Sequence, residues 1–314
     1  MIHWGINALN HGSSLSIVRN DELLFHKFDK SDELESSTFK SARNYGGPTT
    51  VFWYERPWLK KLRQITAGQY STAIDMSVLP RGYLNENGLH YAKLQYSPHH
   101  ASHAAAGYYT SPFDRCAIVV LDAIGEFECA TIWEGHDDRL TKLWSRNYPN
   151  SLGLFYSAFT KLIGYQPIVE EYRLQEDSYM GDPYRYYQEV SGYFSGTVKM
   201  TANLHRGVRD WTHPIVDQQQ RYDIAAAVQK VFEEQVDTVM MIAKNITGQD
   251  SLVYMGGCAM NSRYNKRLSD RWRRVWSLPN PGDPSSSLGA ILYHTRQRVS
   301  ADKLGIVKHL EIRV

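Results

Sequence analysis

Apolar residues recur through the short stretches Ile2–Ile6, Ser14–Val18 and Leu23–Phe28, with polar breaks at Asn10-His11-Gly12 and Arg19-Asn20-Asp21. This pattern predicts an opening β-meander with polar turns. Residues 29 to 50 carry Asp, Ser, Asn, Gly and Pro without a period, and are expected to form a surface loop. Helical spacing starts at Pro57 and runs to Ile65. The strand theme then returns in Ala117–Leu121, Cys129–Trp133 and Leu140–Trp144. Ser151–Ile163 reads as a helix stopped by Gly164. Arg221–Ile246 is the clearest helix, with Ile224, Val228, Val231, Val236, Val239 and Ile242 on its apolar stripe and Gly248 after it. Leu252–Met255 is a short buried strand running into Gly256-Gly257, Asn261–Leu268 starts a helix, and Ser287–Tyr293 is another beyond the Pro279–Pro284 loop. Two meanders, each followed by helices, predict an α/β protein with duplicated lobes at 1–150 and 151–314 around a cleft. No repeat is visible residue by residue.

The 314 residues suffice for a substantial core, and 42% hydrophobic with 22% charged residues is an ordinary globular composition. No apolar run is long enough to span a membrane and no cationic leader precedes one, so a cytoplasmic protein without a membrane partner is expected, in the host cytoplasm if the protein is viral. Cys116, Cys129 and Cys258 are odd in number and scattered, which fits reduced core thiols. A net charge of +2 does not by itself indicate a nucleic-acid binder. Two local clusters change the picture. Arg263, Lys266, Arg267, Arg271, Arg273 and Arg274 surround Trp272 and Trp276, and Arg56, Lys60, Lys61 and Arg63 follow Phe52-Trp53-Tyr54. Such clusters suit a phosphate backbone with stacked bases, or equally solvated helix faces over packed tryptophans.

His99 and His103 stand four apart in a run of small residues, so both imidazoles leave one helix face about a turn apart. That is metal-ligand spacing, and it is also compatible with capping and packing. A carboxylate would complete a site for iron, manganese or zinc, with Asp122 and Asp283 as candidates. Asp122 lies at the end of a strand, where open α/β sheets place their chemistry, and Asp283 lies in a Gly-Pro-rich loop. His100 points elsewhere on the helix. Gly256-Gly257, between strand and helix, can bring backbone amides to an anion or simply make a tight turn. No Walker loop, zinc ribbon or nucleophile elbow is present.

In order along the chain, Gly5–Ser14, Val51–Lys60, His99–Ala104, Asp122–Glu126, Ser151–Tyr156, Gly256–Asn261 and Gly282–Ala290 resemble the motifs of the O-carbamoyltransferase family. That family includes the nodulation, tobramycin and cephamycin carbamoyltransferases. The resemblance implies an actin-like ATPase fold, the fold of sugar kinases and heat-shock ATPases, related to the catalytic subunit that makes threonylcarbamoyl-adenosine in tRNA. It implies His99, His103 and Asp283 as metal ligands and His11 and Asp122 at the carbamoyl-transfer site. It further implies Gly256, Gly257, Asn261 and Ser151 as contacts to carbamoyl phosphate or nucleotide. The expected cofactors are a divalent metal, iron, zinc or manganese, and carbamoyl phosphate as donor.

Two departures from the family pattern bear on the donor. The chain reads as the catalytic domain alone, without the domain that makes carbamoyl-adenylate. Glu171–Gly181 stands where a Gly-Leu-Ala-rich nucleotide loop is usual. Use of ATP is therefore left open: either carbamoyl phosphate is the direct donor or a separate protein supplies the adenylate. For the acceptor, a compact domain with basic-aromatic clusters points to 5-hydroxymethylcytosine in hydroxymethylated DNA, with Arg263, Lys266, Arg267 and Arg271 as nucleic-acid contacts and a viral DNA-modifying role. The alternatives are a small-molecule alcohol, namely a sugar or antibiotic hydroxyl, favoured if that cluster is buried or dispersed, and a non-catalytic actin-like nucleotide-binding domain. Acceptor contacts are expected in residues 29 to 50 and 182 to 215.

Overall fold

The computed structural model describes residues 1–9, 12–75 and 79–300. Two five-stranded sheets form the frame. In the first, β1 (Ile2–Asn7), β2 (Ser13–Arg19) and β3 (Glu22–Asp29) make an antiparallel meander, while β4 (Thr50–Trp53) and β5 (Lys93–Tyr96) extend from β1 in parallel. In the second, β6 (Arg115–Gly125), β7 (Glu128–His136) and β8 (Arg139–Asn147) repeat the meander. After a small hairpin of β9 (Phe194–Gly196) and β10 (Lys199–Met200), β11 (Ser251–Met255) and β12 (Arg274–Trp276) extend from β6 in parallel. The orders β3-β2-β1-β4-β5 and β8-β7-β6-β11-β12 coincide strand for strand. The duplication invisible in the residues is thus explicit in the topology.

The division between halves differs from the expected one. Residues 115–147, expected in a lobe ending at 150, belong to the second sheet, because β6 pairs in parallel with β11. The helix Ser286–Thr295, expected with the second lobe, packs on β1 and β2 of the first. One further correction concerns residues 29 to 50, expected as a surface loop, and the second segment expected to contact an acceptor is also ordered into short elements. Residues 29 to 50 contain a helix, Ser36–Arg43, which buries Thr38, Phe39 and Ala42. Residues 182 to 215 contain a short helix, Tyr187–Ser191, and the β9–β10 hairpin, tied down by buried Val190, Tyr193, Val198 and Leu204. Elements of two to eight residues offer too few positions for periodicity to register. The long helix Gln218–Thr247, about 45 Å, is closed by an Asp217–Gln220 capping box and by Gly248 at φ +64°. The segment from Asn261 gives only one helical turn, Ser262–Asn265, followed by a tighter turn at Leu268–Asp270. All three cysteines are buried thiols. Among the described residues no helix is long and apolar enough to cross a membrane.

β6 explains why there are two cores. Cys116, Ile118 and Val120 face a core shared with Trp4, Ile6 and Trp53, while Ala117, Val119 and Leu121 face a second one with Phe155, Val228 and Phe232. Burial on both faces accounts for its unbroken apolar run. The helices His99–Thr110 and Ser286–Thr295 share the first core, and all twelve residues of the former are buried. They approach almost backbone to backbone: a Cβ on Gly289 would lie 1.8 Å from the Ser102 carbonyl oxygen, and one on Gly5 would lie 1.8 Å from that of Ser287. Small residues therefore set the spacing of β1 and both helices. In an exposed helix Gly→Ala stabilises by about 1 kcal/mol. Gly289→Ala is expected to do the opposite, destabilising by about 2 kcal/mol or more through overpacking, and a urea midpoint equal to or above that of the wild type would refute this packing argument.

Candidate metal centre

Pro98, extended, precedes the first turn of the His99–Thr110 helix, and the spacing of four brings the two Nε2 atoms of His99 and His103 to 3.0 Å. Asp122 reaches them from β6, whose ladder with β7 slips between Leu121 and Gly125. Such an irregularity re-aims side chains at the end of a strand. Asp283 comes from a single 3₁₀ turn, Asp283–Ser285, just ahead of the last helix. Asp122 Oδ2 lies 3.2 Å from both Nε2 atoms, and Asp283 Oδ1 lies 3.2 Å from His99 and 3.3 Å from His103. All four ligand atoms fall within 4.8 Å of one another. Three separate stretches of chain thus converge on one point.

Glycines make room for this convergence. A Cβ on Gly125 would come within 2.4 Å of the His99 ring and 2.7 Å of His100. Gly256 turns at φ +91°, and a Cβ there would meet the Leu121 carbonyl oxygen at 2.2 Å. The next residue, Gly257, donates its N–H to Asp122 Oδ1 at 3.3 Å, and Ala123 N–H donates to the same oxygen at 2.8 Å. One oxygen of Asp122 is thereby tethered by backbone while the other faces the histidines.

Burial alone would favour neutral imidazoles and protonated carboxyls, but each pair offsets it for the other. Against that burial, the carboxylates of Asp283 and Asp122 hold His99 well above the ordinary histidine value, and both carboxylates raise His103 as well. Asp122 is correspondingly held well below the carboxylate range by His103 and His99, and Asp283 is lowered, chiefly by His99. Four groups arranged this way suit a divalent cation. Two imidazole nitrogens and two carboxylate oxygens form a mixed set that zinc, iron or manganese accepts. Ligands about 2.1 Å from a common centre stand roughly 3.0 to 3.4 Å apart, which matches the five distances above. His99, His103, Asp122 and Asp283 can therefore hold such an ion.

The other expected site residues divide. His11 lies outside the described residues. Asp122 lies within the cluster, where Oδ1 accepts two N–H groups and Oδ2 faces the imidazoles. Gly256 donates its N–H to the Pro281 carbonyl at 2.8 Å, so neither amide of the Gly-Gly pair is free to cradle a foreign anion. Ser151 is the N-cap of the helix Leu152–Leu162, accepting from Leu154 N–H and donating to the Ala123 carbonyl. Asn261 likewise caps its helical turn and bonds Gln229. These two position backbone around Asp122 and the Gly-Gly turn. The basic cluster is also committed elsewhere. Arg263 and Arg267 pair with Glu233, and Arg267 and Arg271 with Asp237, carboxylates spaced one turn apart on the Gln218–Thr247 helix. Trp272 and Trp276 are buried, and only Lys266 of the four expected nucleic-acid contacts lacks an acidic partner among the described residues. His100 bonds Thr131 Oγ1 at 2.9 Å and is held neutral by burial.

Sequence reasoning passed over Glu55 and Glu126. Both are buried carboxylates bordering the cluster, Glu55 paired with Lys60 at 2.8 Å and Glu126 bound to Arg56 through both oxygens. A carboxylate two residues after the apolar run of β4 was the available signal for Glu55.

Residues 40–292 match the sequence model of the carbamoyltransferase N-terminus family. The chain belongs to that family. It is 30% identical over 234 residues to an uncharacterized protein of Synechocystis sp., covering 67% of this chain and 38% of that one. It is 26% identical over 242 residues to nodulation protein NolNO of Sinorhizobium fredii, covering 73% and 35%. The chain thus spans little more than a third of the length of these relatives. Among solved structures, the activator of the 2-hydroxyisocaproyl-CoA dehydratase from Clostridium difficile aligns with a TM-score of 0.50 at 14% identity, covering 94% of this chain and 96% of that one. Together with the doubled strand order, this likeness gives the fold as actin-like ATPase.

The charge pairing has a pH signature in metal-free protein. Imidazoles raised above 6.5 contribute stability that is complete below that value and is lost as pH climbs through their folded values. Carboxylates depressed below 3.8 contribute stability that is complete above it and is lost as pH falls through their folded values. Chelator-treated protein is therefore expected to have its highest urea midpoint between about pH 4 and 6.5, with an alkaline decline that shrinks in the His99→Gln/His103→Gln variant. A midpoint rising steadily from pH 6 to 9 would contradict the pairing.

Proposed function

We propose that this chain, as a member of the carbamoyltransferase N-terminus family, carries the catalytic centre of an O-carbamoyltransferase. The observation that carries the reading is the convergence of His99, His103, Asp122 and Asp283 within 4.8 Å in a family-matched fold. In the reaction, an acceptor hydroxyl oxygen forms a bond to the carbamoyl carbon, the bond from that carbon to the phosphate oxygen breaks, and phosphate leaves with the electron pair. A divalent ion at the cluster would supply Lewis-acid polarisation of the carbamoyl carbonyl and charge neutralisation for the leaving group. His99 and His103 would hold it with Nε2, and Asp122 and Asp283 with one oxygen each. Because both Asp122 oxygens are engaged, the proton of the attacking hydroxyl is assigned to His11, the remaining candidate base. The donor is carbamoyl phosphate or carbamoyl-adenylate.

For the acceptor, a small-molecule hydroxyl, on a sugar or an antibiotic, is the better reading. The arginines that would have followed a DNA backbone are paired with Glu233 and Asp237, and the tryptophans that would have stacked on bases are buried. 5-Hydroxymethylcytosine in DNA is retained as a competing arm of the assay.

The test incubates protein and a divalent metal with carbamoyl phosphate, with and without ATP, against an aminoglycoside, a free sugar and hydroxymethylated DNA. Mass spectrometry is expected to find one added carbamoyl group on a small alcohol. A gain on DNA alone would reverse the acceptor assignment, and no gain on any alcohol by metal-loaded protein would sink the transferase reading. His99→Ala and His103→Ala are each expected to lower transfer by about a thousandfold or more while circular dichroism remains that of folded protein. Full activity in either variant would remove the metal assignment.

A further inference from the structure

His99 presents Nε2 to the cluster and turns Nδ1 away from it. Nδ1 is buried and makes no hydrogen bond among the described residues. The carboxylate facing it is Glu55, with Oε2 at 4.0 Å. Glu55 is only 4% exposed and sits just beyond β4. Its other oxygen, Oε1, accepts from Lys60 Nζ at 2.8 Å, and Lys60 also donates to the Leu9 carbonyl at 3.3 Å. The Tyr54 ring meets His99 edge-on at 5.4 Å, which limits rotation of the imidazole. His103 is served differently: its Nδ1 has Ser286 Oγ at 3.4 Å.

An imidazole that offers Nε2 as a bare lone pair must carry its hydrogen on Nδ1, and the group that accepts this hydrogen decides tautomer and ring orientation. A buried N–H with no acceptor is unfavourable. Glu55 is the acidic group placed to relieve it, and an approach of about 1 Å brings Oε2 into hydrogen-bond range. We propose that Glu55 is the positioning residue of His99: anchored by Lys60 through one oxygen, it accepts the Nδ1 hydrogen with the other and so keeps Nε2 directed at the cation site. This inference rests on the metal-binding reading above. Lys60 has a defined part in it, since its bond to Oε1 fixes the carboxylate in place and its contact with Leu9 links the pair to the β1–β2 connection. Glu55 touches no reacting atom in this scheme and acts only through His99.

Zinc alone is the probe. Chelator competition with the full chain is expected to give a 10- to 100-fold weaker Zn²⁺ affinity for Glu55→Gln than for the wild type. Because a lone Glu55→Gln leaves Lys60 without its partner and can fold poorly, Glu55→Gln/Lys60→Gln removes both charges and is expected to show the same loss. The second readout needs no metal: in ¹⁵N-histidine-labelled apoprotein, the His99 Nδ1 proton is expected downfield and slow to exchange, and both variants should move it upfield and speed its exchange. An affinity within about twofold of the wild type together with an unmoved Nδ1 proton would overturn the proposal, leaving Glu55–Lys60 a structural ion pair. Wild-type protein that binds no Zn²⁺ but whose Nδ1 proton still answers to Glu55 would remove the metal reading and support the Glu55–His99 contact.

Discussion

Two carboxylates and two imidazoles brought together out of bulk water are the constraint on which the rest of this structure turns. Neither pair tolerates that environment alone, because desolvation penalises each charge and only the opposite charges offset it. Asp122 and Asp283 are therefore stable at these positions only while His99 and His103 face them or a cation lies among them. Much of the surrounding architecture serves that juxtaposition. The irregularity in β6 frees Asp122, the Gly257 and Ala123 amides tether one of its oxygens, and Gly125 leaves space for the imidazole it faces.

The same constraint explains why the two halves interlock. The histidines sit on a helix between the sheets, Asp122 comes from the second sheet, and Asp283 arrives on the segment that returns the chain to the first. Close approach at Gly5 and Gly289 sets the height of the final helix and therefore of the turn that carries Asp283. Interiors this dense transmit small displacements, so a Cβ added at Gly289, on the helix that follows that turn, bears on the site as well as on stability.

Electrostatics also governs what the protein presents outward. The most basic stretch of the chain is folded against the acidic side of the Gln218–Thr247 helix, where Glu233 and Asp237 each engage two arginines. Half of a positive cluster in sequence thus becomes part of an ion-pair network with two carboxylates. Near the cluster, by contrast, Arg56, the N-cap of the helix Pro57–Thr66, and Lys60 within it pair with Glu126 and Glu55, the two buried carboxylates beside the histidines.

The residues themselves determined a good deal. Short apolar stretches between polar turns marked β1 to β3, a long apolar stripe marked the 218–247 helix, and a spacing of four put His99 and His103 on one helix face, because these properties depend on neighbours a few positions away. Only the tertiary structure decided that β6 to β8 belong to the second sheet, that Asp122 Oδ2 faces both imidazoles, that the Gly-Gly amides hold the chain's own carbonyl and carboxylate, and that Glu55 stands behind His99. Each of these depends on which partner meets a group across tens to hundreds of residues: Gly257 with Asp122, Arg267 with Glu233, Glu55 with His99. A side chain's type states what it can bond, whereas the packing of distant elements selects the partner.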